Sequence, residues 1–433
     1  VTQQIIRREL PDWVEPAVVH GALWAQHENV VWLDAGPQAR EGYSYLGVGS
    51  GAVIRGHDLD VLRSRISAPT SGMTVNGPFN LGYVGWLGYD LGRSTTGVSL
   101  SRDEHAPLSF VEVRAALEFD HAAHRVTLMT CSDHDAVALS TALTDTDARP
   151  LRDIQASAKA APTWRHDDQS YAQMVEHCRD AIRRGDAYQL CLTNEISAPG
   201  TWDALAVYSR LREDNPSHHG AMLSIGGVHL LSSSPEVFLS LNRSGRLSTM
   251  PIKGTRPRGM DDEADTQLIR ELLDSEKEQA ENLMIVDLMR NDLSRVGELG
   301  TVAAENLLQV HSLPHVHQLV STVSTQLRQG LSAVDAIEAT FPAGSMTGAP
   351  KIAAMSILNE LEAGPRGIYS GAFGWLGYDG ACELAMVIRS LVIDDGGASI
   401  GTGGGITIDS NPQAEVAEMK LKAEPALRAL GLA

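Results

Sequence analysis

The stretch Gly82-Tyr-Val-Gly-Trp-Leu-Gly-Tyr89 alternates small residues with large ones. A strand takes this pattern where neighbouring backbones approach closely, because glycine leaves open the space a side chain would fill. A chain carrying such a strand must build a sheet of some size around it. The flanking segments agree. Residues 29–33 (NVVWL) read as a short apolar strand, residues 43–47 as a strand ending in a turn, and 111–119 with 125–130 as a hairpin around Asp120 and His121.

The pattern changes after a polar, Ala-rich, Pro-bounded stretch at 145–162, which reads as a boundary. It divides an N-terminal region, 1–160, from a second region, 165–433. Beyond it, longer helices alternate with strands. Residues 170–184 place Tyr171, Met174, Val175, Cys178 and Ile182 at helical spacing and end at Gly185, a suitable residue just past a helix. Residues 188–196, 229–232, 237–241, 371–378 and 384–393 read as strands, and 412–430 as a closing helix. The class is α+β with substantial sheets, and periodicity leaves the strand pairing open.

A hydrophobic content of 43% and a charged content of 21% belong to an ordinary globular protein rather than a disordered or fibrous one. No apolar run reaches the ~20 residues a membrane span needs, and the first ten residues lack an apolar export segment. A cytoplasmic location without a membrane partner is therefore expected. A formal charge of −19 repels nucleic acid and anionic lipid alike. An anionic substrate would need a local island of Arg, Lys and amide donors. Cys131, Cys178, Cys191 and Cys382 form no C-x-x-C pair, which argues against zinc and against a disulfide framework.

Several residues can carry chemistry. In Pro251-Ile-Lys-Gly-Thr-Arg256, Lys253 follows a strand-like Pro-Ile and precedes a Gly-Thr turn. A lysine partly withdrawn from water gives up its proton more readily and becomes a nucleophile. The plainer alternatives are an anion-binding lysine or one that merely sits at a turn. Ser275 and Glu278 match an S-x-x-E capping box. Glu281 shares a helical face with Met284, Ile285 and Leu288, so its carboxylate points to the apolar side and needs a cation, a metal or a hydrogen-bond network. Asp287, Arg290, Asn291 and Asp292 read as helix-end salt bridges and caps.

Glu415, Glu418 and Lys422 fall on one face of the final helix, which on an exposed surface is an ordinary i,i+4 pair. The upstream run Gly401-Thr-Gly-Gly-Gly405 opens another reading, since it lets backbone N–H groups approach a bound anion. Two helices that each offer a carboxylate to one cleft can hold Mg²⁺ through oxygen ligands and water. The Gly/Pro-rich loop from Phe341 to Lys351 leads into a helix whose N-terminus favours anions. Arg389 reads as a carboxylate fork or a strand-end salt bridge. His317, among Val316, Leu319 and Val320, reads as a hydrogen-bonded core histidine.

The order of the motifs adds what no single one carries. Gly185-Asp-Ala-Tyr-Gln189, Asn215-Pro-Ser217, Ser233-Ser-Pro-Glu236, the segment Ala280 to Asp292, Pro342-Ala-Gly-Ser-Met-Thr-Gly-Ala-Pro-Lys351, Arg366-Gly-Ile-Tyr-Ser-Gly371 and the Gly-rich segment with its Glu-x-x-Glu helix follow one another along the chain. In that order they resemble the chorismate-utilising enzymes. The family includes component I of anthranilate synthase, the aminating subunit of 4-amino-4-deoxychorismate synthase, and the isochorismate and salicylate synthases. The resemblance implies a large α+β sandwich of the anthranilate synthase component I type, with two facing antiparallel sheets and helices outside.

It also implies roles. Glu281 and Glu418 would hold Mg²⁺, with Glu278 and Glu415 near the metal. Tyr369, Arg389, Lys422 and the amides of Gly404 and Gly405 would bind the carboxylates of chorismate, with Gly254 and Thr255 on the substrate side. Thr347 and His317 match positions lining the same pocket. Lys253 stands where members resembling anthranilate synthase typically have Ala, so P-I-K-G-T resembles the 4-amino-4-deoxychorismate branch. There the lysine adds to C2 of chorismate as the C4 hydroxyl leaves, and Glu236 fits the general acid and then the general base. No Gly-x-Cys-x-Gly glutaminase elbow is present in the sequence, so the resemblance implies ammonia from a separate glutamine amidotransferase subunit.

Two positions depart from the family pattern. Asn215-Pro-Ser-His-His219 stands where many members read Asn-Pro-Ser-Pro-Tyr, and Leu33-Asp-Ala35 where feedback-regulated ones carry Leu-Glu-Ser. No tryptophan inhibition is expected. The rival readings are anthranilate synthase component I, which Lys253 argues against, and a non-catalytic protein of the same fold, for which so many carboxylates would be superfluous. A Mg²⁺ phosphoryl-transfer enzyme is disfavoured because no G-x-x-x-x-G-K-[ST] loop occurs.

Overall fold

The strand Leu108–Asp120 belongs to two sheets at once. In this computed structural model, which describes residues 5–69, 77–144, 157–158, 160–313 and 316–433, one edge of that strand pairs with Tyr43–Gly56. Along the other edge, its first half pairs with Gly82–Leu87 and its second half with Arg125–Thr130. From this fork one sheet runs through Tyr43–Gly56, Val30–Asp34, His219–Ile225, Val228–Ser234, Ser390–Asp394, Gly397–Ile406 and Gln189–Thr201. The other runs through Gly82–Leu87, Ala372–Gly377, Cys382–Met386, Val237–Leu241, Arg246–Thr249 and Val316–Gln326. Ile252–Pro257 and Ala303–Ser312 also pair with that last strand. All of these pairings are antiparallel.

The sheets face one another. Val31, Ala221, Leu223 and Leu230 of the first share a core with Val84, Trp86, Phe373, Trp375 and Ala385 of the second. Helices Pro16–Trp24, Val137–Thr144, Ala204–Asp214 and Pro412–Leu430 cover the outer face of the first sheet. Glu276–Ser294 and Ala333–Thr340 cover that of the second. The sandwich with helices outside, expected from the family resemblance, is the architecture observed.

Gly82–Leu87 is buried throughout, and its glycines explain why. Gly85 pairs with Gly374 across the ladder. A Cβ on Gly85 would overlap the Ser109 carbonyl oxygen, and one on Gly374 the Glu383 carbonyl oxygen. Tyr83 and Leu87 face the helices, whereas Val84 and Trp86 face the space between the sheets, as strand alternation requires. Truncating Trp86 to Ala would open a cavity at a cost of about 3–5 kcal/mol.

One strand expectation is corrected. Residues 384–393 form no single strand: Cys382–Met386 and Ser390–Asp394 are separate, and Arg389 between them takes a φ of +51°. The chain leaves the second sheet and enters the first at this bend. The helix Asp168–Arg184 matches its expected span, with Asp167 capping its start and Gly185 in the left-handed region at its end. The boundary stretch 145–162 falls mostly outside the described residues. Strands of the two regions interleave in both sheets, Val30–Asp34 with His219–Ile225 and Gly82–Leu87 with Ala372–Gly377. Among the described residues, no helix is long and apolar enough to cross a membrane.

Candidate active site

Four elements converge on one cleft: the strands Ile252–Pro257 and Gly397–Ile406, the first half of helix Glu276–Ser294, and the final helix Pro412–Leu430. Lys253 Nζ lies 3.9 Å from Glu281 Oε2, with the two side chains only 17% and 13% exposed. A Cβ on Gly405 would stand 3.3 Å from Lys253 Nζ, so the glycine lets this ammonium lie close to the strand backbone. Lys422 Nζ donates to the Gly403 carbonyl at 2.9 Å and pairs with Glu418 Oε1 at 2.6 Å. A Cβ on Gly404 would stand 3.2, 3.6 and 3.8 Å from Glu415, Lys422 and Glu418. Pairing of this strand with Ser390–Asp394 stops at Ile400. Residues 401–406 therefore keep one backbone edge without a strand partner among the described residues, available to a ligand.

The carboxylates crowd one another. Burial raises the Glu281 carboxyl above its ordinary range; Lys253 and Lys277 oppose that, while the charges of Glu278 and Glu418 add to it. Burial also raises Glu415, although the Ser410 hydroxyl donates to it at 2.7 Å. Burial acts upward on Glu418 too, but Lys422 outweighs it and the net direction is down. Glu278 completes half of the expected capping box. Its N–H donates to Ser275 Oγ at 3.4 Å, but its carboxylate lies 3.6 Å from Arg256 and close to Gly254.

Among the described residues, no three His, Cys, Asp or Glu side chains converge at metal-binding spacing. The four glutamates thus form no closed cage for the Mg²⁺ that the family resemblance implies. Their chemistry suits the ion in an open form, because Mg²⁺ takes one or two carboxylates and fills its shell with water and substrate oxygens. Glu281 and Glu418 come from two helices and lie within reach of each other's charge.

Glu236 follows the strand Val228–Ser234 and is buried. Burial pushes its carboxyl up to about 7, against the opposing influence of the adjoining Ser345 hydroxyl and the Lys253 charge. A group near 7 both gives and takes a proton at neutral pH. Arg389 stands beside Tyr369 and Glu418, and burial lowers its hold on its proton. Its guanidinium makes no hydrogen bond or ion pair to a described residue, which leaves a half-buried fork open to an anion. The cationic island demanded by the net charge is therefore mixed: Lys253 and Lys422 are already paired with carboxylates, whereas Arg389 feels the charge of Glu418 without pairing with it.

Tyr369 packs on Gly401, where a Cβ would overlap its ring. Gly401→Ala is expected to displace Tyr369 and raise KM for the anionic substrate by about tenfold, with a smaller change in kcat, as loss of uniform binding requires. Steady-state kinetics on the folded variant check this.

Other sequence candidates are engaged elsewhere. His317 is fully buried, with Ser312 Oγ 2.8 Å from Nδ1 and Asp265 Oδ1 2.8 Å from Nε2. Both ring nitrogens therefore have partners that pin its strand. Thr347 is buried and its hydroxyl donates to the Ala343 and Gly344 carbonyls at 3.2 and 3.3 Å. Thr255 lies in the ladder opposite Gln318, and Gly254 takes a φ of +85° beside Leu272 and Glu278. Lys351 opens its helix, and its ammonium is engaged within the fold: Nζ donates to Asp292 Oδ2 at 2.6 Å and to the Thr340 carbonyl at 2.7 Å. Asp34, in the departed effector motif, is buried and held by Arg212 at 2.5 Å and Tyr208 at 3.1 Å.

Two further residues border the cleft that no local pattern marks. The Gln189 amide abuts Gly405, and its Oε1 is buried without a partner among the described residues. The Ser345 hydroxyl beside Glu236 is likewise buried without one. Buried polar atoms left unpaired are rare. Both residues lie in motifs visible in the sequence, but nothing in their spacing separates them from their neighbours.

Comparison with known proteins places this cleft in a family. The chorismate binding enzyme family matches residues 28–428. An aminodeoxychorismate synthase from Streptomyces griseus is 36% identical over 99% of this chain, which spans 65% of that relative's length. Anthranilate synthase component 1 from Streptomyces coelicolor is 37% identical, covering 97% of this chain and 87% of the relative. The crystal structure of anthranilate synthase component I from Streptococcus pneumoniae TIGR4 superposes with a TM-score of 0.77 at 29% identity, over 91% of this chain and 93% of that one. With a family match across most of its length and a site built from the motifs that carry the resemblance, the chain belongs to the chorismate binding enzymes.

Proposed function

We propose that the chain converts chorismate and ammonia to 4-amino-4-deoxychorismate, with Lys253 as a covalent nucleophile. The observation that carries this reading is the place of Lys253, whose Nζ stands between Glu281 and Gly405. Lysine is a competent nucleophile once it has lost its proton. Its amine attacks C2 of chorismate; the N–C2 bond forms, C1=C2 and C5=C6 shift to C1=C6 and C4=C5, and the C4–O bond breaks. Glu236 gives its proton to the departing hydroxyl, which leaves as water. Ammonia then bonds to C4 and yields a proton to Glu236, both double bonds shift back, and the C2–N bond to Lys253 breaks. Arg389, Tyr369 and Lys422 hold the substrate carboxylates. Glu281 and Glu418 would hold Mg²⁺, with Glu278 and Glu415 nearby, and the ion would supply Lewis-acid neutralisation of the ring carboxylate.

Ammonia comes from a separate glutamine amidotransferase subunit, the setting is cytoplasmic, and the product serves 4-aminobenzoate and folate synthesis. The similarity to anthranilate synthase component 1 supports a second reading, amination at C2 with loss of pyruvate. Incubation with chorismate and MgCl₂ but no ammonia, followed by digestion and mass spectrometry, tests the lysine step. The expected result is a peptide containing Lys253 heavier by chorismate less water. An unmodified Lys253 peptide, in protein that aminates chorismate normally once ammonium is added, counts against it.

A further inference from the structure

We propose that Ser345 is a positioning residue for Glu236: its hydroxyl holds one carboxyl oxygen so that the other faces the reacting atoms. The inference depends on Glu236 being the proton carrier of the proposed reaction. Ser345 lies in the short turn Gly344–Met346, whose backbone is anchored from several directions. Arg366 Nη1 donates to the Met346 carbonyl at 2.7 Å, and the Cys191 N–H to the Thr347 carbonyl at 2.9 Å. Arg366 is itself fixed by both Glu362 oxygens, at 2.8 and 2.7 Å. Leu288 closes over Gly344, where a Cβ would overlap its side chain. At the loop's two ends, Lys351 ties the Thr340 carbonyl to Asp292 of the helix Glu276–Ser294. A turn held in this way fixes its side chain before any ligand arrives.

Ser345 is 8% exposed and its hydroxyl is shielded from solvent, yet the hydroxyl has no partner in hydrogen-bond geometry among the described residues. It adjoins the carboxyl of Glu236, a residue 7% exposed, and favours its ionised form; Lys253 is the charged group that also acts on that carboxyl. An uncommitted donor beside a buried acid costs stability, and such contacts tighten when substrate binds. With Ser345 donating to one oxygen, the proton of the acid form must sit on the other. The ionised form keeps the same contact, so the orientation survives both halves of the cycle.

The test is the pH dependence of chorismate amination by Ser345→Ala, Ser345→Thr and Glu236→Gln at constant free ammonia. Ser345→Ala is expected to lower kcat about tenfold, to leave KM nearly unchanged, and to move the limb set by Glu236 up by about one pH unit. Ser345→Thr, which keeps the hydroxyl, is expected to restore both. If Glu236→Gln keeps the wild-type rate and profile, the role of Glu236 fails and the inference falls with it. If Glu236→Gln loses that limb while Ser345→Ala behaves as wild type, or Ser345→Thr rescues neither rate nor profile, the proposal for Ser345 alone is overturned.

Discussion

Lys253→Ala is expected to lower the rate of chorismate amination by about 10³-fold or more, the scale on which loss of a covalent nucleophile is felt. The fold should survive. Lys253 lies in a strand only six residues long, and its single ion pair, to Glu281, is a loose 3.9 Å. Thermal melting should therefore show a protein close to wild type. The companion variant is Lys253→Arg. A guanidinium supplies the same positive charge but no nucleophilic amine. If Lys253 only stabilised charge, Arg would recover much of the rate; as a nucleophile it cannot be replaced in this way. Steady-state kinetics with ammonium as nitrogen donor separates the two outcomes, and KM for chorismate should change little in either.

Glu236→Gln should lower kcat by about 10²–10⁴-fold, the usual contribution of a general acid–base group. The same variant carries a stability signature whose sign follows from burial. The folded protein holds the Glu236 carboxyl at about 7, above its ordinary 4.5, so it binds more protons than the unfolded chain between those values. This contribution to stability is full below pH 4.5 and is lost as pH rises through 7. Gln has no charge to bury. Glu236→Gln should accordingly melt higher than wild type above pH 7, with the difference fading in acid. A more stable but nearly inactive protein is the trade expected of a catalytic group held in an unfavourable environment.

Much of this was legible in the chain, for local reasons. The glycines of Gly82–Leu87 announce close backbone contact because they stand among large apolar and aromatic residues of a strand, and Gly85 meets Gly374 across the ladder. Glu281 reveals itself by sharing a helical face with Ile285 and Leu288, and the run at 401–405 by an excess of glycine beside a carboxylate helix. What stayed hidden depends on partners far away in sequence. The break at Arg389 follows from a switch between sheets, which an unbroken apolar alternation does not encode. His317 matched a pocket position by family resemblance, yet Asp265, 52 residues away, occupies its ring. Ser345 and Gln189 acquire their meaning only when the turn and strand that carry them are set against Glu236 and Gly405.

The most direct measurement is the identity of the product. Purified protein, chorismate, MgCl₂ and an ammonium salt at mildly alkaline pH should give a compound that keeps the enolpyruvyl ether and carries an amine in place of the C4 hydroxyl, seen by mass spectrometry. Fluorescent anthranilate with released pyruvate would contradict amination at C4 and make the chain an anthranilate synthase component.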